Sequence, residues 1–151
     1  MEMPKPGADQ ERLKVMAGEW RGKETMHPTP WASQGAIRDA DISNRVGLDG
    51  FAIIQDYRQR DGDTPTFTGH AIILKKPNAD GYQMYWFDCF SPSVFEGEWD
   101  GVRGSFVSPS PMGQTRATFD FSVSGSYRFA MEMSQDGVTW APMMDGEYQR
   151  V

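Results

Sequence analysis

The chain has few of the residues on which several common chemistries depend. Its 151 residues include one cysteine, Cys89, and two histidines, His27 and His70. A single cysteine excludes an intrachain disulfide and a cysteine-based metal cluster. Cys89 is flanked by strand-like aromatic residues and is interpreted as a buried thiol, because a nucleophile would need a histidine nearby. The histidines are far apart and lack local carboxylate spacing, so no metal site is predicted.

The chain also lacks a basic cluster and a long apolar run. Its formal net charge of -6 at pH 7 argues against a nucleic-acid partner, because phosphate binding relies on clustered Lys and Arg. No stretch is apolar enough to span a bilayer, and the first residues lack the hydrophobic region of a signal peptide. We therefore expect a soluble, cytoplasmic protein with no membrane partner. Glycine-rich phosphate loops and nucleophile-elbow motifs are absent as well.

The chain does contain turn signals at regular spacing. Each supplies a residue that tolerates the positive φ of a tight hairpin: Asp49-Gly50, Asp61-Gly62, Asp80-Gly81, Asp100-Gly101, Ser124-Gly125 and Asp136-Gly137. Strands are predicted near 18–27, 34–47, 51–60, 66–76, 82–90, 93–100, 102–108, 114–123, 126–134 and 138–150. Short turns of this kind join antiparallel neighbours, whereas parallel strands would need long crossovers.

The length fits one domain, which we place at residues 9–151 after a flexible tail of residues 1–8. Asp9 is expected to cap a short helix that Gly18 ends. The predicted fold is all-β: a single antiparallel up-and-down barrel of about ten strands, lipocalin-like, with a short N-terminal helix. Trp20, in the segment Gly18-Glu19-Trp20-Arg21-Gly22, is expected to plug one end of this barrel.

Alternating apolar residues predict which strand faces point inward. Two strands show a clear period of two: Thr115, Ala117, Phe119, Phe121 and Val123, and then Tyr127, Phe129, Met131 and Met133. The segment 82–90 differs, because both of its faces are apolar: Met84, Trp86 and Phe90 on one, Tyr85, Phe87 and Cys89 on the other. A sheet segment of this kind needs a second covering partner, so we predict a homodimer formed through its outer face.

Two groups of residues are candidates for chemistry. The stiff segment His27-Pro28-Thr29-Pro30-Trp31 either forms one side of a pocket mouth or simply ends the first strand. His70, in an otherwise apolar strand, is either a satisfied structural histidine or a catalytic one, and with Asp88 it would make an acid–base pair if their strands lie side by side.

Methionine is the third notable component. Met84, Met131, Met133, Met143 and Met144 all fall on predicted strands. Core filling is the favoured explanation, although a thioether lining also suits a flat apolar ligand.

The ordered set of motifs resembles a bacterial lipocalin-like, calycin-type family filed as a domain of unknown function. The motifs that carry the resemblance run from about residue 11 to the end: Gly18-Glu19-Trp20-Arg21-Gly22, His27-Pro28-Thr29-Pro30-Trp31, Leu48-Asp49-Gly50-Phe51, Phe67-Thr68-Gly69-His70, Trp86-Phe87-Asp88, Asp136-Gly137-Val138-Thr139-Trp140 and Tyr148-Gln149-Arg150. The resemblance implies a barrel with no settled activity, in which Arg150 lies over Trp20. The chain is more distantly similar to haem-binding nitrobindin-like barrels but lacks a histidine in its C-terminal part, where their haem ligand lies.

The leading hypothesis is a non-enzymatic barrel that binds a small apolar ligand, with no cofactor. The residues expected to bind it are Trp20, His27, Trp31, His70, Trp86, Asp88 and Met131. Three alternatives stay open: an isomerase or hydrolase that uses His70 and Asp88, a haem-binding barrel with His70 or a methionine as ligand, and a protein-interaction module.

Overall fold

Ten antiparallel strands form a closed barrel in the computed structural model, which describes all 151 residues. The helical segments are α1 (Ala8–Glu11) and 3-10 turns at Arg12–Met16 and Leu48–Gly50, and the strands are β1 (Gly18–Met26), β2 (Ala36–Gly47), β3 (Ala52–Asp61), β4 (Thr64–Lys75), β5 (Tyr82–Phe87), β6 (Ser93–Trp99), β7 (Arg103–Ser110), β8 (Gly113–Asp120), β9 (Ser126–Ser134) and β10 (Ala141–Arg150). Each strand pairs with its neighbours in sequence, and β1 closes the barrel against β10. The predicted up-and-down barrel is confirmed.

The N-terminal helix is shorter than expected and begins differently. Its N-cap is Gly7, so the expected cap at Asp9 is wrong. Asp9 lies inside the first turn, where its carboxylate pairs with Arg12 at 2.7 Å. The next residues form a 3-10 turn that buries Leu13 and Met16 against the barrel. No helix of the chain is both long enough and apolar enough to cross a membrane.

This helical segment covers one end of the barrel, which we call the closed end. Two aromatic side chains from distant strands fix it there through hydrogen bonds to its main chain. The Trp99 indole donates to the Arg12 carbonyl at 2.9 Å, and the Tyr82 hydroxyl donates to the Asp9 carbonyl at 2.8 Å. The opposite end, which we call the mouth, carries the loops 27–35, 62–63, 88–92, 111–112 and 135–140.

The inward faces agree with the predicted alternation on β8 and β9. Cross-strand pairing places Met131 beside Ala117, which is fully buried, and Phe129 beside Phe119. Paired residues of antiparallel strands point to the same side of the sheet, so these side chains face the interior. The inward placement of Val123 is wrong: it is 63% exposed, because β8 has already ended and a turn leads to β9.

The outer face of β5 remains partly apolar, as its sequence indicated. Phe87 is 44% exposed, and Val94 on the neighbouring strand β6 is 41% exposed. The homodimer expected from this face stays a prediction. The expectation of a buried thiol is wrong, because Cys89 is exposed in the loop after β5. Asp88 begins that loop by accepting a hydrogen bond from the Phe90 main chain.

Candidate functional site

A fully buried carboxylate lies inside the barrel, on β1. The Oε1 atom of Glu24 accepts hydrogen bonds from the Tyr57 hydroxyl at 2.5 Å and the Gln59 amide at 2.9 Å. Its Oε2 atom accepts one from the Tyr148 hydroxyl at 2.6 Å. We call these residues the Glu24 cluster: Glu24, Tyr57, Gln59 and Tyr148. All of them are buried, Glu24 completely, so the cluster forms a polar layer within an otherwise apolar core.

The backbone explains why the cluster forms. Trp20 faces the interior, and alternation along β1 therefore places Glu24 on the same face. Gly146 is the cross-strand neighbour of Glu24 on β10. A Cβ atom at Gly146 would lie 2.1 Å from the Tyr148 hydroxyl oxygen. The missing side chain at this position lets the Tyr148 ring extend along β10 and reach the carboxylate.

The electrostatics of the cluster keep its phenols protonated. Burial raises the pKa of Tyr57 well above its ordinary value, and the negative charge of Glu24 raises it further. The same causes, in the same order, raise the pKa of Tyr148. Both hydroxyls therefore remain donors to the carboxylate at neutral pH. Neutral donors thus stabilise the buried charge through charge-assisted hydrogen bonds.

Arg38 is the cross-strand neighbour of Glu24 on β2, and its side chain faces the interior as well. Its guanidinium turns toward the mouth instead of toward the carboxylate. The Nη1 atom donates to the Ile37 carbonyl at 3.2 Å and lies 3.8 Å from the Asp61 carboxylate. The Arg38 side chain is 28% exposed. Sequence reasoning identified neither Glu24 nor Arg38.

Between the Glu24 cluster and the mouth, several large inward-facing side chains are only half-buried, although Met144 and Ser108 are buried. We call this region the mouth compartment, and its members are Met26, Arg38, Phe67, Trp86, Met131 and Met133. Inward-facing residues of the closed end differ, since Trp20, Trp99 and Tyr127 are at most 4% exposed. The mouth side of the interior is therefore less completely covered than the closed end, which is filled by side chains.

Trp86 forms one wall of the mouth compartment and is held from two directions. A Cβ atom at Gly69 would lie 2.1 Å from its ring, so the indole lies directly across this glycine of β4. The indole nitrogen donates to the Asp88 carboxylate at 2.7 Å. The ring also meets Tyr57 edge-on, with 5.9 Å between centroids. Asp88 therefore positions the tryptophan and shapes the following loop.

The structure gives His70 and Asp88 different partners. His70 lies on the outer face of β4, since its neighbours Gly69 and Ala71 face inward, and its Nδ1 atom is 2.9 Å from the Asp56 carboxylate. Asp88 bonds to Trp86 and to the main chain of its own loop. The two residues line the same shallow depression on the outer surface, but no hydrogen bond joins them.

Neither histidine faces the barrel interior. The His27 Nε2 atom lies 2.6 Å from the Asp145 carboxylate on the outer surface, and Trp31 is 56% exposed in the loop that follows β1. Haem held in the barrel would need an axial ligand there. Of the two ligand types expected from the sequence, histidine and methionine, only methionine, such as Met131, faces the interior. The interior thus does not fit histidine-ligated haem. No group of three or more His, Cys, Asp or Glu residues is arranged to hold a metal ion.

Trp20 belongs to the closed end, away from the mouth compartment. It is 2% exposed, and its indole nitrogen donates to the Met16 carbonyl at 3.0 Å. The guanidinium carbon of Arg150 lies 4.3 Å from the Trp20 ring centroid, as the family resemblance implied. Arg150 also donates to the Ala17 carbonyl at 2.8 Å, so it joins the end of the chain to the helical segment.

These features define a lipocalin-like barrel with a filled end and a solvent-accessible end. The chain belongs to the family described as "Protein of unknown function (DUF1579)", which it matches over residues 5–150. A search of curated proteins found no significant match.

Solved structures with the same fold have very different sequences. The crystal structure of Rv2717c from M. tuberculosis is similar with a TM-score of 0.72 and 8% identity, over 96% of this chain and 98% of that one. The S-type phycobiliprotein lyase CPES from Guillardia theta is similar with a TM-score of 0.65 and 11% identity, over 97% of this chain and 98% of that one. At such identities the likeness shows the fold alone.

Proposed function

We propose that the chain binds a small, largely apolar molecule in the mouth compartment. The observation that carries this proposal is the contrast between the two halves of the barrel. Inward-facing side chains at the closed end are buried, whereas Phe67, Trp86 and Met131 near the mouth are half-buried although they face the interior. Partly exposed apolar side chains that face a barrel interior favour the burial of an apolar ligand.

The chemistry of the lining indicates what such a ligand looks like. Aromatic rings offer flat surfaces, and the methionines Met26, Met131 and Met133 supply flexible, polarisable chains that adapt to irregular shapes. Each 100 Å² of apolar surface removed from water contributes about 2.5 kcal/mol. A ligand of modest size therefore gains enough free energy for micromolar binding only if much of its surface is apolar.

The comparison with known structures is compatible with this function. A barrel of the same shape serves a phycobiliprotein lyase, so the fold accommodates proteins that act on other molecules. The specificity of this chain has to come from its own residues.

Binding is favoured over the acid–base alternative because of the contacts of His70. A catalytic pair needs a base within hydrogen-bond reach of its partner and of a substrate. His70 and Asp88 bond instead to Asp56 and Trp86 respectively, and no hydrogen bond joins them although both line one outer depression.

Native mass spectrometry of freshly purified protein tests the proposal, with an apolar fluorescent probe as a second readout. We expect a bound mass that is lost on denaturation, or probe binding that saturates. The substitution Met131→Trp should fill the mouth compartment and weaken probe binding at least about tenfold. Val138→Trp adds the same side chain at a position that is 81% exposed and serves as the control. A protein that carries no ligand and binds no probe would contradict the proposal.

A further inference from the structure

Arg38 is the charged member of the mouth compartment, and its hydrogen-bonding capacity is largely unused. A guanidinium carries five N–H donors in a planar fork. In the structure one donor is used, from Nη1 to the Ile37 carbonyl, and the Asp61 carboxylate at 3.8 Å is beyond hydrogen-bond distance. Its Nε and Nη2 atoms make no hydrogen bond to the protein.

Other arginines of the chain form hydrogen bonds to carboxylates through their guanidinium groups. Arg21 bonds to Asp41 through Nε at 2.7 Å, and Arg116 reaches Glu132 through both Nε and Nη2. Both of these arginines belong to ion pairs on the outer surface. Arg38 differs because it faces the interior, and its ion pair with Asp61, at 3.8 Å, includes no hydrogen bond and leaves Nε and Nη2 without a protein acceptor.

The Glu24 cluster explains why Arg38 does not pair with Glu24. Its natural partner is the carboxylate directly opposite on β1, but Tyr57, Gln59 and Tyr148 already bind both oxygens of that group. A fully buried carboxylate with these donors does not need the arginine. The arginine is therefore directed to the mouth, where its side chain is 28% exposed beside apolar residues.

We propose that Arg38 binds the acidic group of the ligand, and that the ligand class is a carboxylic acid with an apolar body. This inference rests on the proposed function. The planar fork of the guanidinium matches a carboxylate in a bidentate geometry, and such charge-assisted bonds are stronger where water is partly excluded. The formal net charge of -6 disfavours nonspecific anion binding, so recognition of an acid requires a local cation of this kind.

The test compares dodecanoate with dodecanol, which share an apolar chain and differ in charge, by isothermal titration calorimetry at neutral pH. We expect the wild-type protein to bind dodecanoate about tenfold more tightly than dodecanol, as a charged hydrogen bond implies. Arg38→Met keeps the apolar volume and should abolish this preference, while Arg38→Lys should retain part of it. Arg45→Met, at an exposed position of the same strand, should leave it unchanged.

The outcomes separate the two proposals. Tight binding of both probes with no preference for the acid, or a preference that survives Arg38→Met, would overturn the role of Arg38 and leave ligand binding intact. If neither probe binds the wild-type protein, both proposals are overturned. Circular dichroism melting of each variant checks that the fold is retained, and the lysine variant keeps the inference testable if the methionine variant does not fold.

Discussion

Glu24 and Arg38 lie opposite each other on β1 and β2, both facing the barrel interior, yet they do not form an ion pair. The carboxylate is held by neutral donors on β3 and β10, and the guanidinium faces the mouth. A direct pair would neutralise both groups and leave the interior without an available charge. Because the two groups bind different partners, the barrel has both a stable polar layer around Glu24 and an accessible cation, Arg38.

The Glu24 cluster should contribute strongly to stability. We expect Glu24→Ala to lower the free energy of unfolding by about 3–5 kcal/mol, because buried donors lose their acceptor. Tyr148→Phe removes one charge-assisted bond and should cost about 1.5–3 kcal/mol. Urea unfolding followed by tryptophan fluorescence measures both. Tyr85→Phe, whose hydroxyl has only a 3.3 Å contact with Gln83, is the matched control. A loss below about 1 kcal/mol for Glu24→Ala would contradict this role.

Trp20 should stabilise the closed end mainly through packing. We expect Trp20→Ala to cost roughly 3–5 kcal/mol, because it leaves a cavity among Phe121, Tyr127 and the helical segment. Arg150→Met keeps much of the contact area and removes the charge over the ring, so its cost should be nearer ~1 kcal/mol. Chemical unfolding measures both. Equal losses for the two variants would show that the cation, and not the cavity, dominates.

The turn before β10 should make stability depend on pH. Main-chain N–H groups of Thr139 and Val138, and then the Ser134 hydroxyl, lower the pKa of Asp136 to about 2. An aspartate in the unfolded chain titrates near pH 4. Because the folded pKa is the lower one, the stabilisation is present above about pH 4 and is lost as the pH falls toward 2.

Thermal unfolding across this range checks the dependence. We expect Asp136→Ala to lower the melting temperature at pH 7 and the difference from wild type to shrink as the pH falls from about 4 to about 2. Asp63→Ala, in the exposed turn between β3 and β4, is the control. A difference that stays constant with pH would show that the ionised carboxylate is not what the turn uses.

The apolar outer face of β5 predicts self-association. We expect a homodimer at micromolar concentration by size-exclusion chromatography with multi-angle light scattering. Phe87→Asp should shift it to monomer, because a charge at this 44% exposed position opposes burial. Val138→Asp in an exposed loop should not. A wild-type monomer under these conditions would contradict the prediction.

Much of the fold could be predicted because its signals are local. Turn pairs such as Asp61-Gly62 and Asp100-Gly101 mark hairpins, and both glycines adopt the positive φ that those turns require. The alternation on β9 fixes its inward face independently of the neighbouring strands. Boundaries were less accurate: β10 begins at Ala141, three residues later than predicted, because the Asp136 turn extends through Thr139.

The Glu24 cluster could not be found in this way, although part of its signal was present. Alternation from Trp20 places Glu24 inward, but a charged residue is expected to point to solvent unless its partners are known. Those partners come from β3 and β10, and their alignment depends on strand register. The partner of His70 was missed for a related reason. Asp56 is the cross-strand neighbour of His70 in the β3–β4 pair, whereas the sequence analysis had paired His70 with Asp88.

Both chain termini lie at the closed end. The Arg150 main chain donates to Gly125, the Val151 main chain donates to Glu19, and the N-terminal helical segment packs beneath the same strands. The loops around the mouth take no part in this closure. Apart from the turn that Asp136 stabilises, exchanges in these loops should therefore weaken the fold less than changes at the closed end. For the same reason, an affinity tag or fusion partner at either terminus leaves the entrance unobstructed.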